Sequence, residues 1–125
     1  MEKILYVDDE PINLKLFELT FKSEYHVLTA LSAREGLEIL EKDPGINIIV
    51  SDLRMPEMDG LEFIKVIKER DPHKICLLLT AYIESDVMLE GFNKDLLFRY
   101  ITKPWNKEEM AETLEAAFEK VQSGS

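Results

Sequence analysis

The chain has 125 residues, of which 46% are hydrophobic, enough for one domain with a sizeable core, and this composition excludes a disordered chain. The formal net charge of −10, from 25 acidic and 15 basic residues, argues against direct binding to nucleic acid, because a surface of this sign repels phosphates. No apolar run approaches the about 20 residues that cross a bilayer and no signal-peptide pattern opens the sequence, so we predict a cytoplasmic protein that binds no membrane.

The first part of the chain predicts a strand, a helix and a second strand. Lys3–Val7 is an apolar run with the length of a buried strand. A helix is predicted to begin near Pro11, because proline suits the first helical position. A short second strand is predicted over Tyr25–Thr29. The apolar side chains of the helix are predicted to face largely inward: Leu14, Leu16, Phe17, Leu19 and Phe21.

The middle of the chain continues the alternation. Ser32, with Glu35 three positions later, has the spacing of a capping box, which predicts a second helix as far as Leu40. Ile46–Ser51 predicts the third strand, and a loop that contains a proline, Arg54–Gly60, leads to a third helix. The apolar residues of that helix are Leu61, Ile64 and Ile67.

The last part predicts two more strands and two more helices. Ile75–Leu79 is almost continuously apolar, as expected of a strand covered on both faces, and its Cys76 is predicted to be inert core. A helix is predicted over Ser85–Phe92 and a fifth strand over Phe98–Thr102. Asn106 is predicted to cap the last helix. The apolar residues of the last helix recur at helical spacing: Met110, Leu114, Ala117, Phe118 and Val121.

This alternation of strands and helices predicts an α/β fold. Strands joined by helices run parallel through right-handed crossovers, so the five strands form a doubly wound parallel sheet with helices on both faces. Among the possible strand orders we choose 2-1-3-4-5, that of a flavodoxin-like three-layer sandwich. This order places strands 1 and 3 side by side, so that Asp8, Asp9 and Asp52 meet at the switch point of the sheet.

Five polar residues follow or end the predicted strands. Open α/β sheets bind ligands outside the carboxyl ends of their strands. Carboxylates there suit Mg²⁺, which prefers hard oxygen ligands, and without a cation clustered carboxylates repel one another. A carboxylate can also attack phosphorus, and an ammonium and a hydroxyl can bind the transferred oxygens. Each residue alone is more often a surface or turn residue, and only their coincidence at one edge predicts a site. The five are Asp8, Asp9, Asp52, Thr80 and Lys103.

Four segments of the chain match the pattern of one known family: Val7–Glu10, Asp52–Gly60, Thr80–Ala81 and Tyr100–Pro104. The second of them, with the sequence Asp-Leu-Arg-Met-Pro-Glu-Met-Asp-Gly, is highly specific. On these segments the chain resembles, over nearly its whole length, the response-regulator receiver domains of two-component signalling. The resemblance implies one receiver domain over residues 1–122, with residues 123–125 as a tail or linker remnant.

The resemblance implies the chemistry of the site. Asp52 would accept a phosphoryl group from the phosphohistidine of a sensor histidine kinase or a phosphotransfer protein. Mg²⁺, with Mn²⁺ as a substitute, would be bound by the side chains of Asp9 and Asp52, by the backbone carbonyl of Arg54, and by Asp8 through water. Such a domain is no enzyme in the ordinary sense, since it catalyses only its own phosphorylation and dephosphorylation.

The resemblance also implies a switch. Thr80 would move toward the phosphoryl group and Tyr100 would turn inward, and the peptide bond between Lys103 and Pro104 would be cis. The phosphorylated state would regulate an output domain or partner protein, with a phosphorylation-dependent homodimer as an open alternative.

Two other functional classes share features of this sequence pattern. A flavodoxin-type electron carrier needs a loop rich in Ser, Thr and Gly after the first strand, and the acidic sequence Asp-Asp-Glu-Pro would repel its flavin phosphate. A phosphohydrolase of the haloacid-dehalogenase type also combines Asp, Thr, Lys and Mg²⁺. That class places its nucleophile on the first strand in a D-x-D pattern, whereas this chain has the adjacent acids Asp8 and Asp9 there.

Overall fold

In the computed structural model, residues 1–81 and 95–123 are described; the helix predicted over Ser85–Phe92 lies outside them. These residues form five strands and four helices. The strands are β1 Lys3–Val7, β2 His26–Ala30, β3 Ile48–Asp52, β4 Ile75–Thr80 and β5 Arg99–Thr102. The helices are α1 Pro11–Phe21, α2 Ala33–Lys42, α3 Gly60–Arg70 and α4 Lys107–Gln122. None of the helices in the described ranges has the length and apolar content needed to cross a membrane.

The five strands form one parallel sheet in the order β2-β1-β3-β4-β5, which confirms the predicted topology. The pairing places Val7 beside Ser51 and Thr80 beside Thr102, so the strands end almost level with one another. The residues that end or follow the strands therefore share one edge of the sheet.

The core lies in two layers, one on each face of the sheet. Successive strand residues point to opposite faces, and β3 and β4 are buried along their whole length. One layer packs α1 and α4 against the sheet, and the other packs α2 and α3. Cys76 is fully buried in the second layer, and burial raises the pKa of its thiol to about 12, which confirms that it is core.

Side-chain caps fix where three helices begin. Ser32 Oγ accepts a hydrogen bond from Glu35 N at 3.1 Å, and Asn106 Oδ1 accepts one from Glu109 N at 2.7 Å, as predicted. A full capping box, with reciprocal bonds of 2.9 and 3.1 Å, joins Asp59 and Glu62. This third cap was not predicted, because Asp59 stands inside the loop assigned to Arg54–Gly60.

The prediction that Leu16 and Leu19 face inward is wrong. Their side chains are 55% and 51% exposed, and Ile12 beside them is 72% exposed. Ile12, Leu16 and Leu19 stand at positions i, i+4 and i+7, so they share one face of the helix, and that face is turned to solvent. Three other apolar residues face the sheet. The buried residues of α1 are Leu14, Phe17 and Phe21.

Three predicted strands also begin later than expected, and one of them, β5, begins at Arg99 rather than at Phe98. Tyr25 N donates to Phe21 O at 2.9 Å, so this residue still closes the end of α1 and β2 begins at His26. Ile46 N similarly closes a turn onto Asp43 O, and β3 begins at Ile48. Hydrogen bonds of local turns thus hold Tyr25 and Ile46 outside the strands to which the apolar pattern alone assigns them.

At the opposite edge of the sheet, a buried lysine joins two loops. Lys74 is 5% exposed, and its ammonium donates to the carbonyl oxygens of Ile46 and of Pro44, the latter at 3.0 Å. Asp71 Oδ2 lies 3.7 Å from the same ammonium. These partners satisfy a charge that would otherwise be costly to bury, so Lys74 is structural.

Candidate functional site

The carboxyl edge of the sheet brings together the predicted site residues. Asp8 directly follows β1, and Asp52 and Thr80 are the last residues of β3 and β4. Lys103 directly follows β5, and its backbone N–H donates to Thr80 O at 2.8 Å. Because β1 and β4 both pair with β3, Asp52 stands at the centre of the group.

Three carboxylates lie close enough to share one cation. Asp8, Asp9 and Asp52 each offer a carboxylate oxygen, and these oxygens all lie within 4.8 Å of one another. The three differ in accessibility: Asp8 is fully buried, Asp52 is 6% exposed, and Asp9 is exposed. The neighbours Asp8 and Asp9 thus lie in different environments, and the unequal metal-binding roles implied for them stay predictions.

Asp8 is held by donors on both of its oxygens. Glu10 N donates to Oδ1 at 3.0 Å, and the Asn13 amide donates to Oδ2 at 3.1 Å. The Tyr6 hydroxyl contacts Oδ2 at 3.4 Å. Sequence reasoning missed Tyr6 and Asn13. The only signals were a phenol within an apolar strand and an amide in the first turn of the helix after the acidic pair.

Tyr6 links this carboxylate to the aromatic core. Burial, and next the charge of Asp8, raise the pKa of Tyr6 well above its ordinary value, while a hydrogen bond with the Trp105 side chain opposes that rise. The rings of Phe17 and Phe21 lie 5.8 and 6.0 Å from that of Trp105, centroid to centroid. Trp105 is therefore a packing residue of the core layer that contains α1.

The ammonium of Lys103 lies between two of the carboxylates. Its Nζ is 3.1 Å from Asp52 Oδ1 and 3.9 Å from Asp8 Oδ2. The peptide bond between Lys103 and Pro104 is cis, as the resemblance implied. Thr80 is 6% exposed and ends the neighbouring strand β4, one residue beyond Leu79, the pairing partner of Asp52.

The electrostatic balance at Asp52 is unfavourable to its charge. Burial raises the pKa of this carboxyl, the hydrogen bond from Lys103 lowers it, and the charges of Asp8 and Asp9 raise it further. The net shift is upward. A second positive charge at this edge would therefore stabilise the ionised cluster, and oxygen donors of this kind suit a hard divalent cation such as Mg²⁺.

Gly60 is required by the backbone beside Asp52. A Cβ on Gly60 would stand 2.2 Å from the Asp52 carbonyl oxygen and 2.9 Å from Leu78 Cδ1. Gly60 N also donates to Leu53 O at 2.8 Å, which fixes the start of α3 against the end of β3. The glycine thus lets the helix approach the strand that carries Asp52.

We expect Gly60→Ala to lower the free energy of unfolding by about 3 kcal/mol, the upper part of the range for overpacking, since backbone atoms cannot rotate away. Chemical denaturation measures it. Gly45→Ala is the matched control, because its Cβ would meet only the Asp43 side chain, at 3.3 Å. Equal stabilities of the two variants would contradict the requirement for glycine at residue 60.

The amino-acid sequence places this domain in a known family. The sequence profile of the family described as Response regulator receiver domain matches residues 4–115. The chain belongs to this family.

Curated relatives of this receiver domain are regulatory proteins several times its length. It is 34% identical over 116 residues to the hydrogenase transcriptional regulatory protein HoxA of Cupriavidus necator, a match that covers 93% of this chain and 24% of HoxA. It is 35% identical over 118 residues to the transcriptional regulatory protein GlrR of Escherichia coli K12, covering 94% of this chain and 26% of GlrR. The chain thus spans about a quarter of the length of these relatives.

Solved structures show the same receiver fold. A response regulator receiver domain protein of Clostridium thermocellum superposes with a TM-score of 0.93 at 27% identity, covering 100% of both chains. The chemotaxis protein CheY4 of Vibrio cholerae superposes with a TM-score of 0.85 at 30% identity, covering 94% of this chain and 98% of CheY4. These matches confirm the predicted fold class and family.

Two further predicted site residues lie around the acidic edge of the receiver domain. Arg54 is exposed, two residues beyond Asp52. Tyr100, in β5, is partly buried and packs against the core layer of α2 and α3. The metal-binding role of the Arg54 carbonyl and the switch role of Tyr100 stay predictions.

Proposed function

We propose that this receiver domain accepts a phosphoryl group on Asp52 from the phosphohistidine of a sensor histidine kinase or a phosphotransfer protein. The observation that carries the proposal is the environment of Asp52 Oδ1, 3.1 Å from the Lys103 ammonium at an edge that holds two more carboxylates. A lone surface aspartate has neither a cation to balance transferred oxygens nor further acids to bind a metal.

In the proposed reaction, a carboxylate oxygen of Asp52 attacks phosphorus in line with the bond to the donor imidazole. The new O–P bond forms as the N–P bond breaks, and the imidazole nitrogen keeps the electron pair. Lys103 balances the charge of the transferred oxygens, and the Thr80 hydroxyl donates to one of them. An ionised Asp52 needs no general base for this step, and a divalent cation at this edge would favour that ionised form.

Mg²⁺ is the cofactor that we propose for this site, with Mn²⁺ as a substitute. The side chains of Asp9 and Asp52 and the Arg54 carbonyl would hold it directly, and Asp8 would hold it through water. When bound, the cation neutralises charge on the phosphoryl oxygens. The chemistry of the donor set supports this assignment, since three carboxylate oxygens within 4.8 Å match the preference of a hard cation.

The phosphorylated state is proposed to act as a signal through Thr80 and Tyr100. Movement of Thr80 toward the new oxygens would let Tyr100 turn inward, and this change would regulate an output domain or partner protein. The names of HoxA and GlrR, both transcriptional regulatory proteins, support an output of that kind. A phosphorylation-dependent homodimer is the alternative output, and we propose a cytoplasmic location for either.

Locating the phosphoryl adduct tests the proposal against a phosphohydrolase of the haloacid-dehalogenase type. The domain is treated with Mg²⁺ and acetyl phosphate, the acyl phosphate is reduced with borohydride, and the modified peptide is identified by mass spectrometry. Modification of Asp52 supports the receiver function. Modification of Asp8 would instead support the hydrolase, although that carboxylate is fully buried and carries donors on both oxygens.

We expect Thr80→Ala and Lys103→Ala to weaken the response to phosphorylation more than they change the resting fold. Both side chains are proposed to bind the transferred oxygens, so their contribution should be larger in the phosphorylated state than in the resting state, where Lys103 already contacts Asp52. The change in amide chemical shifts on addition of beryllofluoride with Mg²⁺ measures the response. An equal response in the wild type and both variants would refute these roles.

A further inference from the structure

Tyr6 is a polar residue in an otherwise apolar strand. Its neighbours Leu5 and Val7 are fully buried, and Tyr6 itself is 1% exposed. A buried hydroxyl is costly unless it is hydrogen-bonded. This hydroxyl contacts the Asp8 carboxylate at 3.4 Å.

The position of this hydroxyl is set by the core rather than by the acidic cluster. The Tyr6 ring stacks on Phe17, with centroids 4.2 Å apart and planes at 11°. Phe17 contacts Phe21 and Trp105 in turn, so a packed aromatic group fixes the phenol. The hydroxyl is therefore a rigid donor aimed at one oxygen of Asp8.

Asp8 depends on such donors for its orientation. Its carboxylate is fully buried, so bulk water does not hold it in place. Two side chains, Tyr6 and Asn13, converge on Oδ2, while the backbone of Glu10 holds Oδ1. A carboxylate is an acceptor only, so both side chains act as donors to it.

We propose that Tyr6 is a positioning residue for the divalent cation. Its hydroxyl and the Asn13 amide hold the Asp8 carboxylate in the orientation in which it binds a water of the cation. This inference rests on the proposed function, because it assumes that the acidic cluster binds Mg²⁺ or Mn²⁺. It adds a residue of the aromatic core to the metal site.

The test is a titration with Mn²⁺, in which electron paramagnetic resonance counts the free ion. Tyr6→Phe keeps the ring and its stacking on Phe17 and removes only the hydroxyl. We expect it to weaken Mn²⁺ binding by about fivefold, below the roughly 10–100-fold cost of losing an outer partner of a metal ligand, because the 3.4 Å contact is long. Asn13→Ala, which removes the second donor, is expected to weaken binding as well.

Tyr25→Phe is the matched control. Tyr25 belongs to the same aromatic group and stacks on Phe118, with ring centroids 5.2 Å apart. Its replacement by Phe also removes one phenol hydroxyl, but at a position away from the acidic cluster. We expect its Mn²⁺ affinity to equal that of the wild type. A merely structural role of Tyr6 would lower the free energy of unfolding without changing metal affinity.

The outcomes separate the inference from the proposed function. If the wild type binds Mn²⁺ and the affinity of Tyr6→Phe lies within twofold of the wild-type affinity, the positioning role is overturned and the metal site stands. Wild type that binds no Mn²⁺ would overturn the metal site itself, and the inference with it. Trp105 fluorescence gives a second readout, because the single tryptophan of the chain packs against Phe17, on which the Tyr6 ring stacks. The inference predicts an Mn²⁺-dependent change in wild type that Tyr6→Phe reduces at saturating metal, and an undiminished change in that variant would count against it.

Discussion

Asp52→Asn is expected to abolish stable phosphorylation while leaving the fold intact. The amide has the size of the carboxylate and can still accept a hydrogen bond from Lys103, now 3.1 Å from Asp52 Oδ1, but it lacks the anionic oxygen that attacks phosphorus. Incubation with labelled acetyl phosphate and Mg²⁺ measures the effect directly. Label on the variant at the wild-type level would refute the assignment of Asp52 as phosphoacceptor.

The same substitution should slightly raise stability near neutral pH. Burial raises the pKa of Asp52, so the folded state binds this proton more tightly than the unfolded state does. The ionised group therefore costs stability as pH rises from the ordinary aspartate value, about 3.9, through the raised pKa. Asn removes that cost, so the advantage of the variant should appear over this interval and disappear in more acidic solution.

Asp43→Asn provides a control of opposite sign. Lys3 Nζ lies 2.7 Å from Asp43 Oδ2, and the hydrogen bond from Lys3 lowers the pKa of this carboxyl. A lowered pKa contributes stability above the ordinary aspartate value, which is lost as pH falls through the folded pKa. Urea denaturation from pH 3 to pH 8 should therefore show Asp43→Asn losing stability where Asp52→Asn gains it. If the stability of both variants changed with pH in the same direction, burial would not be what sets the pKa of Asp52.

The sequence predicts the sheet well because strand ends and helix caps are local signals. The alternation of apolar runs predicts the parallel sheet, and the position of Asp8, Asp52 and Lys103 after those runs predicts their meeting at one edge. The capping residues Ser32 and Asn106 are read from three-residue spacings. Each of these inferences needs only neighbours along the chain and the rule that parallel strands end on the same side.

Other features depend on contacts that no local pattern contains. Five of the eight residues from 14 to 21 in α1 are apolar, so the sequence alone does not show that Leu16 and Leu19 face solvent. Lys74 can be buried because backbone carbonyls 28 and 30 residues away in the chain accept hydrogen bonds from its ammonium group. The bond from Tyr6 to Asp8 similarly requires a side chain set by aromatic packing on α1. Within the site, the residues were predictable from sequence, and their supporting partners were not.

Asp9→Ala should lose most of the affinity for Mg²⁺, and Asp8→Ala somewhat less. Asp8 is fully buried and its oxygens already accept from Glu10 N and from the Asn13 amide, which leaves it suited to a bond through water. Asp9 is the exposed member of the cluster and is suited to direct contact. Because losing an outer partner alone costs roughly 10–100-fold, we expect at least about a tenfold loss for Asp9→Ala.

Calorimetric titration with Mg²⁺ measures both affinities, and Glu10→Gln separates direct binding from general attraction. Glu10 is exposed and adjacent to Asp9, so its neutralisation removes one negative charge near the edge without removing a carboxylate of the cluster. Nearby charges act weakly through water, about 1 kcal/mol at 4 Å, so Glu10→Gln should change affinity much less than Asp9→Ala. Unchanged affinity in Asp9→Ala would remove that residue from contact with the cation. Equal losses in Asp9→Ala and Glu10→Gln would instead show that the edge attracts Mg²⁺ only as a diffuse negative surface, because only direct contact distinguishes two neighbouring exposed acids.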